Sequence, residues 1–300
     1  MPKVTGMVSF ICDPYVALFW QMLYQKYFKD ELDELVVGVN GPLTEVLDFI
    51  ISLFPNSSGW TIDETRNQGR MFDGLYPFAK GNVLAFFDSD NFIFKRGLVS
   101  NYAKMVPTYD IIGSTGLFAS KNVVSLVEKR YGLARINPFM SFWNKGMLDR
   151  ISDRRFEAIH WEKEYQLPGT DIYIKGAGHL DHFSQATLQM LQQGAKYLKI
   201  PPEALPDYIH VSSMGAGVRL FFERGDGKTI YGYQPRPEEI GKDIMSWYWL
   251  VYHQTKDQYP DEKFNQMYLD GMRKKISEAK YYNEADIEQL ANEKRRFYAD

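Results

Sequence analysis

The sequence predicts an α/β fold: a mostly parallel central sheet with helices on both faces, followed by a helical C-terminal extension. Three observations predict it. Strand-like and helix-like segments alternate over the first ninety residues, and Val83–Phe87 is an unbroken apolar run of the kind found in a strand buried on both faces. Beyond Glu238 the chain turns polar and helical in pattern.

The elements follow in order. Val4–Ile11 reads as a strand, and Tyr15–Phe28 carries Val16, Phe19, Trp20, Leu23 and Tyr27 at helical spacing. Leu35–Val39 is a second strand, closed by the turn residues Asn40-Gly41-Pro42, and a helix is expected over Thr44–Phe54. Pro55–Gly59 reads as a loop and Trp60–Asp63 as a short third strand. A helix at Asn67–Phe78 leads through Lys80-Gly81-Asn82 into the strand Val83–Phe87. Asp110–Thr115, Pro138–Trp143 and Asp171–Ile174 are further strand candidates, and Asn122–Tyr131 is a helix. A helix is expected from about His182 to Gln193, with Asp181 as its N-cap and Gly194 as its stop. Arg219–Glu223 and Lys228–Tyr233 flank Gly225-Asp226-Gly227 as a hairpin, and Pro235 and Pro237 mark a joint. The rest reads as two or three amphipathic helices packed on the main domain or on a partner, so the expected division is a main domain at 1–218 and a hairpin and helical extension at 219–300.

Composition narrows the function classes. With 45% apolar and 15% aromatic residues in 300, a large core is available and disorder is not the expectation. A formal charge of −3, from 38 acidic and 35 basic residues, gives no global field toward nucleic acid or anionic membrane. Cys12 is the one cysteine, so there is no internal disulfide and no metal–thiolate cluster, which fits a reducing compartment and a cytoplasmic location. Met1–Cys12 lacks the charged start and cleavage site of a secretory signal, and no run approaches the roughly 18 apolar residues of a membrane span. No integral membrane contact is expected.

The chemistry concentrates at the end of the buried run. Residues i and i+2 of an extended chain face the same side, so Asp88 and Asp90 present two carboxylates together. Paired anions repel unless a cation joins them, and such oxygen donors suit Mn²⁺ or Mg²⁺, ions that bridge diphosphate oxygens. Ligands of open α/β sheets bind at the carboxyl ends of the strands, which is where this pair falls. The competing reading of Asp-x-Asp is a solvated turn.

Lys80-Gly81-Asn82-Val83-Leu84-Ala85-Phe86-Phe87-Asp88-Ser89-Asp90 resembles the segment of GT-A (Rossmann-like) glycosyltransferases in which hydrophobic residues lead into Asp-x-Asp. It is most similar to the large inverting family that includes rhamnosyltransferases and polysaccharide synthases, and the likeness extends more faintly over residues 4 to about 217. The resemblance implies a divalent metal on Asp88 and Asp90, a nucleotide-sugar donor (a UDP-sugar first), and Ser89 beside the donor. It implies donor contacts from Cys12, Asp13 and Asn40 at the ends of the first two strands, and from Asn67 in Asn67-Gln68-Gly69-Arg70. Arg66 and Arg70 are candidate phosphate clamps, since guanidinium matches phosphate geometry, although exposed helix arginines are commonly just solvated. Asp181 stands where the family places its general base, with Asp171 as the fallback. His210, in Tyr208-Ile209-His210-Val211-Ser212-Ser213, resembles the late histidine that completes the metal site. The family's acidic residues after the second strand are replaced here by Asn40-Gly41-Pro42, and its Gln-x-x-Arg-Trp signature is absent.

The expected reaction is transfer of a sugar to an acceptor hydroxyl with inversion. The acceptor stays open between a saccharide, a lipid-linked sugar, a protein and a hydroxymethylated DNA base, the last being the substrate of some phage enzymes of this type. Basic segments at Lys121–Arg135, Arg150–Arg155 and Arg273–Lys280 are the candidate DNA track. A nucleotidyltransferase is the runner-up in nucleotide chemistry, disfavoured because Ile11-Cys12-Asp13-Pro14-Tyr15 holds no Gly-rich phosphate loop. A non-catalytic carbohydrate-binding protein is the alternative from another class. The sequence says nothing of oligomeric state.

Overall fold

Alternation of strand and helix produces the expected sheet, with one strand reversed. The computed structural model describes residues 2–62, 68–115, 121–132, 136–201, 205, 207–211, 221–222 and 240–297. In chain order the first half comprises β1 (Val4–Ile11), α1 (Pro14–Leu23), β2 (Glu34–Asn40), α2 (Thr44–Ser52), β3 (Ser58–Ile62), α3 (Gln68–Leu75), β4 (Val83–Asp88), β5 (Asn91–Ile93) and α4 (Leu98–Ala103). Then come β6 (Ile111–Thr115), α5 (Lys121–Tyr131), β7 (Ile136–Asn144), α6 (Lys145–Leu148), β8 (Ile159–Trp161), β9 (Glu164–Gln166), β10 (Tyr173–Lys175), β11 (Gly178–Leu180), α7 (Ser184–Gln192), β12 (Tyr197–Lys199) and β13 (Tyr208–His210). The chain ends in α8 (Lys242–Thr255), α9 (Glu262–Glu278) and α10 (Glu284–Lys294).

The central sheet has seven strands in the order β12-β6-β7-β4-β1-β2-β3. All neighbours are parallel except at β7, which runs antiparallel to both β4 and β6. β4 is buried along its whole length, and alternate residues serve opposite faces. Ala85 and Phe87 join the core beneath α1, α2 and the C-terminal helices, while Leu84 and Phe86 join the core beneath α3 and α7. That two-sided burial explains why the segment shows no polar alternation.

Several expected boundaries move, each for a local reason. α1 stops at Leu23 and continues as a π-turn over Tyr24–Phe28, so the expected single helix to Phe28 is two kinds of helix. β3 begins at Ser58 because Val36–Asn40 offers it partners from there, which takes in residues expected as loop. The strand expected at Asp171–Ile174 is β10, two residues later, paired with β9. α7 starts at Ser184 rather than at His182, and Asp181 is not its N-cap. The carboxylate of Asp181 accepts the His182 N–H and its carbonyl accepts the Ser184 N–H, closing a turn ahead of the helix. Phe183, in the cap position, has φ 67°, a left-handed conformation costing a side chain about 1 kcal/mol. Its ring is fully buried against Phe72, Phe86 and Phe156, which offsets that cost. Gly194 ends α7 as expected, with φ +85°.

The C-terminal helices depart most from expectation. Three are present among the described residues, but α8 is not amphipathic: every residue from Met245 to Tyr252 is buried. The aromatic run Trp247–Tyr252 shares one core with α1 and β1, and Tyr268 of α9 donates to Asp13 at the β1–α1 junction, 2.8 Å away. Most of the expected hairpin around Gly225-Asp226-Gly227, the Pro235 and Pro237 joint, Asp63 and residues 212–218 lie outside the described residues. No helix among the described residues is long and apolar enough to cross a membrane.

Candidate metal centre and adjoining cleft

Asp88 closes β4, and a two-residue turn carries the chain through Ser89 and Asp90 into β5. β13, more than a hundred residues later, pairs antiparallel with β5 in the register Tyr208↔Ile93, Ile209↔Phe92, His210↔Asn91. Backbone bonds extend that clip at both ends, from Val211 N to the Asp90 carbonyl at 3.0 Å and from Phe94 N to the Asp207 carbonyl at 2.9 Å. This register sets the imidazole of His210 over the acidic turn.

Nε2 of His210 lies 3.4 Å from Asp90 Oδ1 and 3.9 Å from Asp88 Oδ2. One ligand atom from each of the three lies within 4.8 Å of the others. Both aspartates are buried and the imidazole is mostly so, with Phe139 stacked on it at a ring separation of 3.8 Å. Burial pulls the His210 pKa down, but the hydrogen bond and charge of Asp90 and the charge of Asp88 outweigh it, so it rises above 6.5. A raised value means that this ion pair contributes stability below 6.5 and loses it as pH climbs through the shifted value. Two carboxylates and an imidazole, desolvated and convergent, are a donor set that fits a hard-to-borderline divalent ion.

A second layer fixes these ligands, and sequence reading missed it. Tyr208 donates its hydroxyl to Asn91 Oδ1 at 2.8 Å. Burial first, then the charges of Asp88 and Asp90, push the Tyr208 phenol well above 10, so it stays protonated as a donor. Phe139 orients the imidazole from β7. Asn91 follows Asp90 directly, while cross-strand pairing of β13 with β5 brings Tyr208 against it and the packing of β7 brings Phe139 onto His210.

Beyond His210 a cleft of about 780 Å³ opens at the edge formed by β6, β7 and β12. Phe139, Met140, Ile200, Pro201 and Leu205 supply its apolar wall. Its polar groups are Ser114, Asn137 and Lys199, with Tyr208 and His210 on the side of the acidic turn. The Lys199 ammonium donates to the Gly132 carbonyl at 2.9 Å.

The remaining expected site residues fall in distinct settings. Asn40 is buried at the end of β2, its side-chain amide donating to the Phe10 carbonyl at 3.2 Å while its own carbonyl accepts the Cys12 N–H. Cys12 is fully buried. Asp13 caps α1, accepting the Tyr15 and Val16 N–H groups at 3.1 and 3.2 Å as well as the Tyr268 hydroxyl. Ser89 is buried in the acidic turn and Arg70 is exposed on α3. Gly69 beside it admits no side chain, since a Cβ would stand 2.0 Å from the Phe156 carbonyl oxygen. Arg66 and Asn67 lie outside the described residues. Asp181 is partly exposed after β11, with His182 Nε2 at 3.9 Å. Asp171 is on the surface in an ion pair with Arg130 at 2.7 Å, a hydrogen bond that lowers its pKa.

No protein-family model matches the sequence, and no curated protein matches it. Among solved structures, the chain is similar to the mannosyltransferase PcManGT from Pyrobaculum calidifontis in complex with GDP-Man and Mn²⁺. That match has a TM-score of 0.44 and 11% identity, covering 98% of this chain and 80% of that one. It is also similar to S. aureus TarS in complex with UDP-GlcNAc (TM-score 0.42, 13% identity, 92% and 73% covered). A third, glucosyl-3-phosphoglycerate synthase from Mycobacterium tuberculosis with UDP, matches at TM-score 0.37 and 11% identity, over 50% of this chain and 59% of that one. Scores and identities this low assign no chemistry to the chain, which has to come from its own residues.

Proposed function

We propose that the chain is a metal-dependent glycosyltransferase of the GT-A type, moving a sugar from a nucleotide-diphosphate donor to an acceptor hydroxyl with inversion. The observation that carries this is the convergence of Asp88, Asp90 and His210 at the carboxyl end of the central strand of a mostly parallel sheet. A divalent ion, Mn²⁺ or Mg²⁺, held by these three supplies positive charge against the donor diphosphate. The chain's residues do the rest. Phe139 stacks on His210 and Tyr208 ties β13 to Asn91 beside the acidic turn, and Ser89 and Arg70 are the donor-side residues of the proposal. A UDP-sugar is the first donor to try.

In the proposed step the acceptor oxygen bonds to the anomeric carbon, and the bond from that carbon to the diphosphate oxygen breaks with its electron pair on the diphosphate. The hydroxyl proton goes to the base, for which Asp181 is chosen over Asp171. A carboxylate already paired with Arg130, its pKa held down, is the poorer proton acceptor.

The test is release of nucleoside diphosphate from a panel of nucleotide sugars with Mn²⁺, comparing the wild type with Asp90→Asn. Turnover by the wild type and a loss of about 10²–10³-fold in the variant are expected, the scale of removing a charge-stabilising group. Unchanged turnover in Asp90→Asn, at unchanged fold, sinks the proposal.

A further inference from the structure

We infer that the cleft beside His210 is the acceptor site, and that its acceptor is a small hydroxyl compound with an apolar face, of the character of an aryl or alkyl glycoside. This rests on the proposed function and adds the substrate class. Three observations lead to it.

The first is an unsatisfied polar atom. Asn137 is 5% exposed, its Nδ2 donates to Ser114 Oγ at 3.3 Å, and its buried Oδ1 has no hydrogen-bond partner among the described residues. Buried amide oxygens almost always find a donor, and one left over on the wall of a cleft calls for a ligand hydroxyl.

The second is the wall itself. Phe139, Met140, Ile200, Pro201 and Leu205 present carbon to the ligand, and the volume of about 780 Å³ suits a small molecule. A free sugar, polar on most of its surface, would leave hydroxyls unpaired against such a wall. An aryl or alkyl aglycone would cover it while the sugar hydroxyl reaches Asn137.

The third is charge. Lys199 is the one cation lining the cleft among the described residues, and its ammonium is already bound to the Gly132 carbonyl. A nucleic-acid acceptor needs several phosphate-neutralising cations and exposed stacking faces. The described wall does not hold several such cations.

The geometry also explains the position. His210 belongs both to the acidic cluster and to the cleft wall, so an acceptor here stands next to the proposed ligand set, while Asp181, the base proposed above, is not among the described residues that line the cleft.

The experiment measures binding and turnover separately. Saturation-transfer NMR on the full chain, without donor, uses 4-nitrophenyl and octyl glucosides, free glucose and a hydroxymethylcytosine duplex as probes. The same protein with Mn²⁺ and the nucleotide-sugar panel is assayed for donor hydrolysis. Both are repeated with Asn137→Leu and Asn137→Ser, after thermal melting shows each variant folded. The expected result is binding of the two glucosides, at least tenfold weaker in both variants, and weaker binding of glucose and duplex. If neither glucoside binds, if the variants bind them as well as wild type, or if the duplex binds tightest, the inference is overturned. Donor hydrolysis without glucoside binding removes the acceptor assignment and leaves the proposed function standing. Asn137-dependent glucoside binding with no donor turned over under any metal removes the proposed function and leaves a small-molecule cleft.

Discussion

The carboxyl edge of the sheet has two flanks around β4, and they use polar residues in opposite ways. On the β1–β2 flank, Asp13 caps α1 and holds Tyr268, while Asn40 donates to the Phe10 carbonyl, so buried polar groups are committed within the protein. On the β6–β7–β12 flank, Asn137 keeps an amide oxygen with no partner at the wall of a cleft that also receives His210. Proximity to the strand ends does not by itself make a ligand contact. What counts is whether a side chain is already engaged inside the fold.

The contrast breaks most clearly at its boundary, the acidic cluster. His210→Ala should weaken Mn²⁺ binding by about tenfold or more, a loss on the scale seen when groups around a metal are removed. Isothermal titration reads this directly, and equal affinity would take His210 out of the ligand set. On the structural flank the effect should appear in stability. Asp13→Ala removes a helix cap and leaves the buried Tyr268 hydroxyl without its acceptor, a combined cost of about 2–4 kcal/mol in urea unfolding. The folded fraction should keep its KM for donor within about twofold. A large KM change with little loss of stability would move Asp13 to the donor site.

A half-buried carboxylate sharpens the same distinction through pH. Asp73 accepts the backbone N–H groups of Phe156 and Glu157, tying that loop to α3. Burial raises its pKa from 3.8 to about 6 even though those two bonds lower it. Because the folded value lies above the unfolded one, its contribution is complete below pH 3.8 and is lost as pH rises through about 6. The loss should amount to about 2–3 kcal/mol at most. Asp73→Asn should flatten the dependence of unfolding free energy on pH across that window, and an unaltered slope would show that Asp73 does not titrate there.

Much of the fold was legible because its signals are local. Gly81 and Asn82 turn the chain into an apolar run that can only be a strand covered on both sides, and the Asp-Ser-Asp follows within the same dozen residues. Gly194 stops α7 where a left-handed residue is required. The errors arise where tertiary contacts override local pattern. Asp181 has the residue type of an N-cap, yet the burial of Phe183 among four aromatic rings moves the helix start to Ser184. The Trp and Tyr residues beyond Glu238, scattered among Lys and Glu, read as one face of amphipathic helices, but in α8 neighbours close over both faces.

For the candidate site, sequence alone determined that two carboxylates stand at the end of a buried strand, since alternation and apolar content act over a few residues. His210 was reached only through resemblance. Tertiary structure decided that β13 clips onto β5, that Phe139 stacks on the imidazole, and that Asn137 faces a cleft with an oxygen unmatched. Each of those depends on register between strands far apart in the chain, and register is set by the packing of the whole sheet rather than by any segment within it.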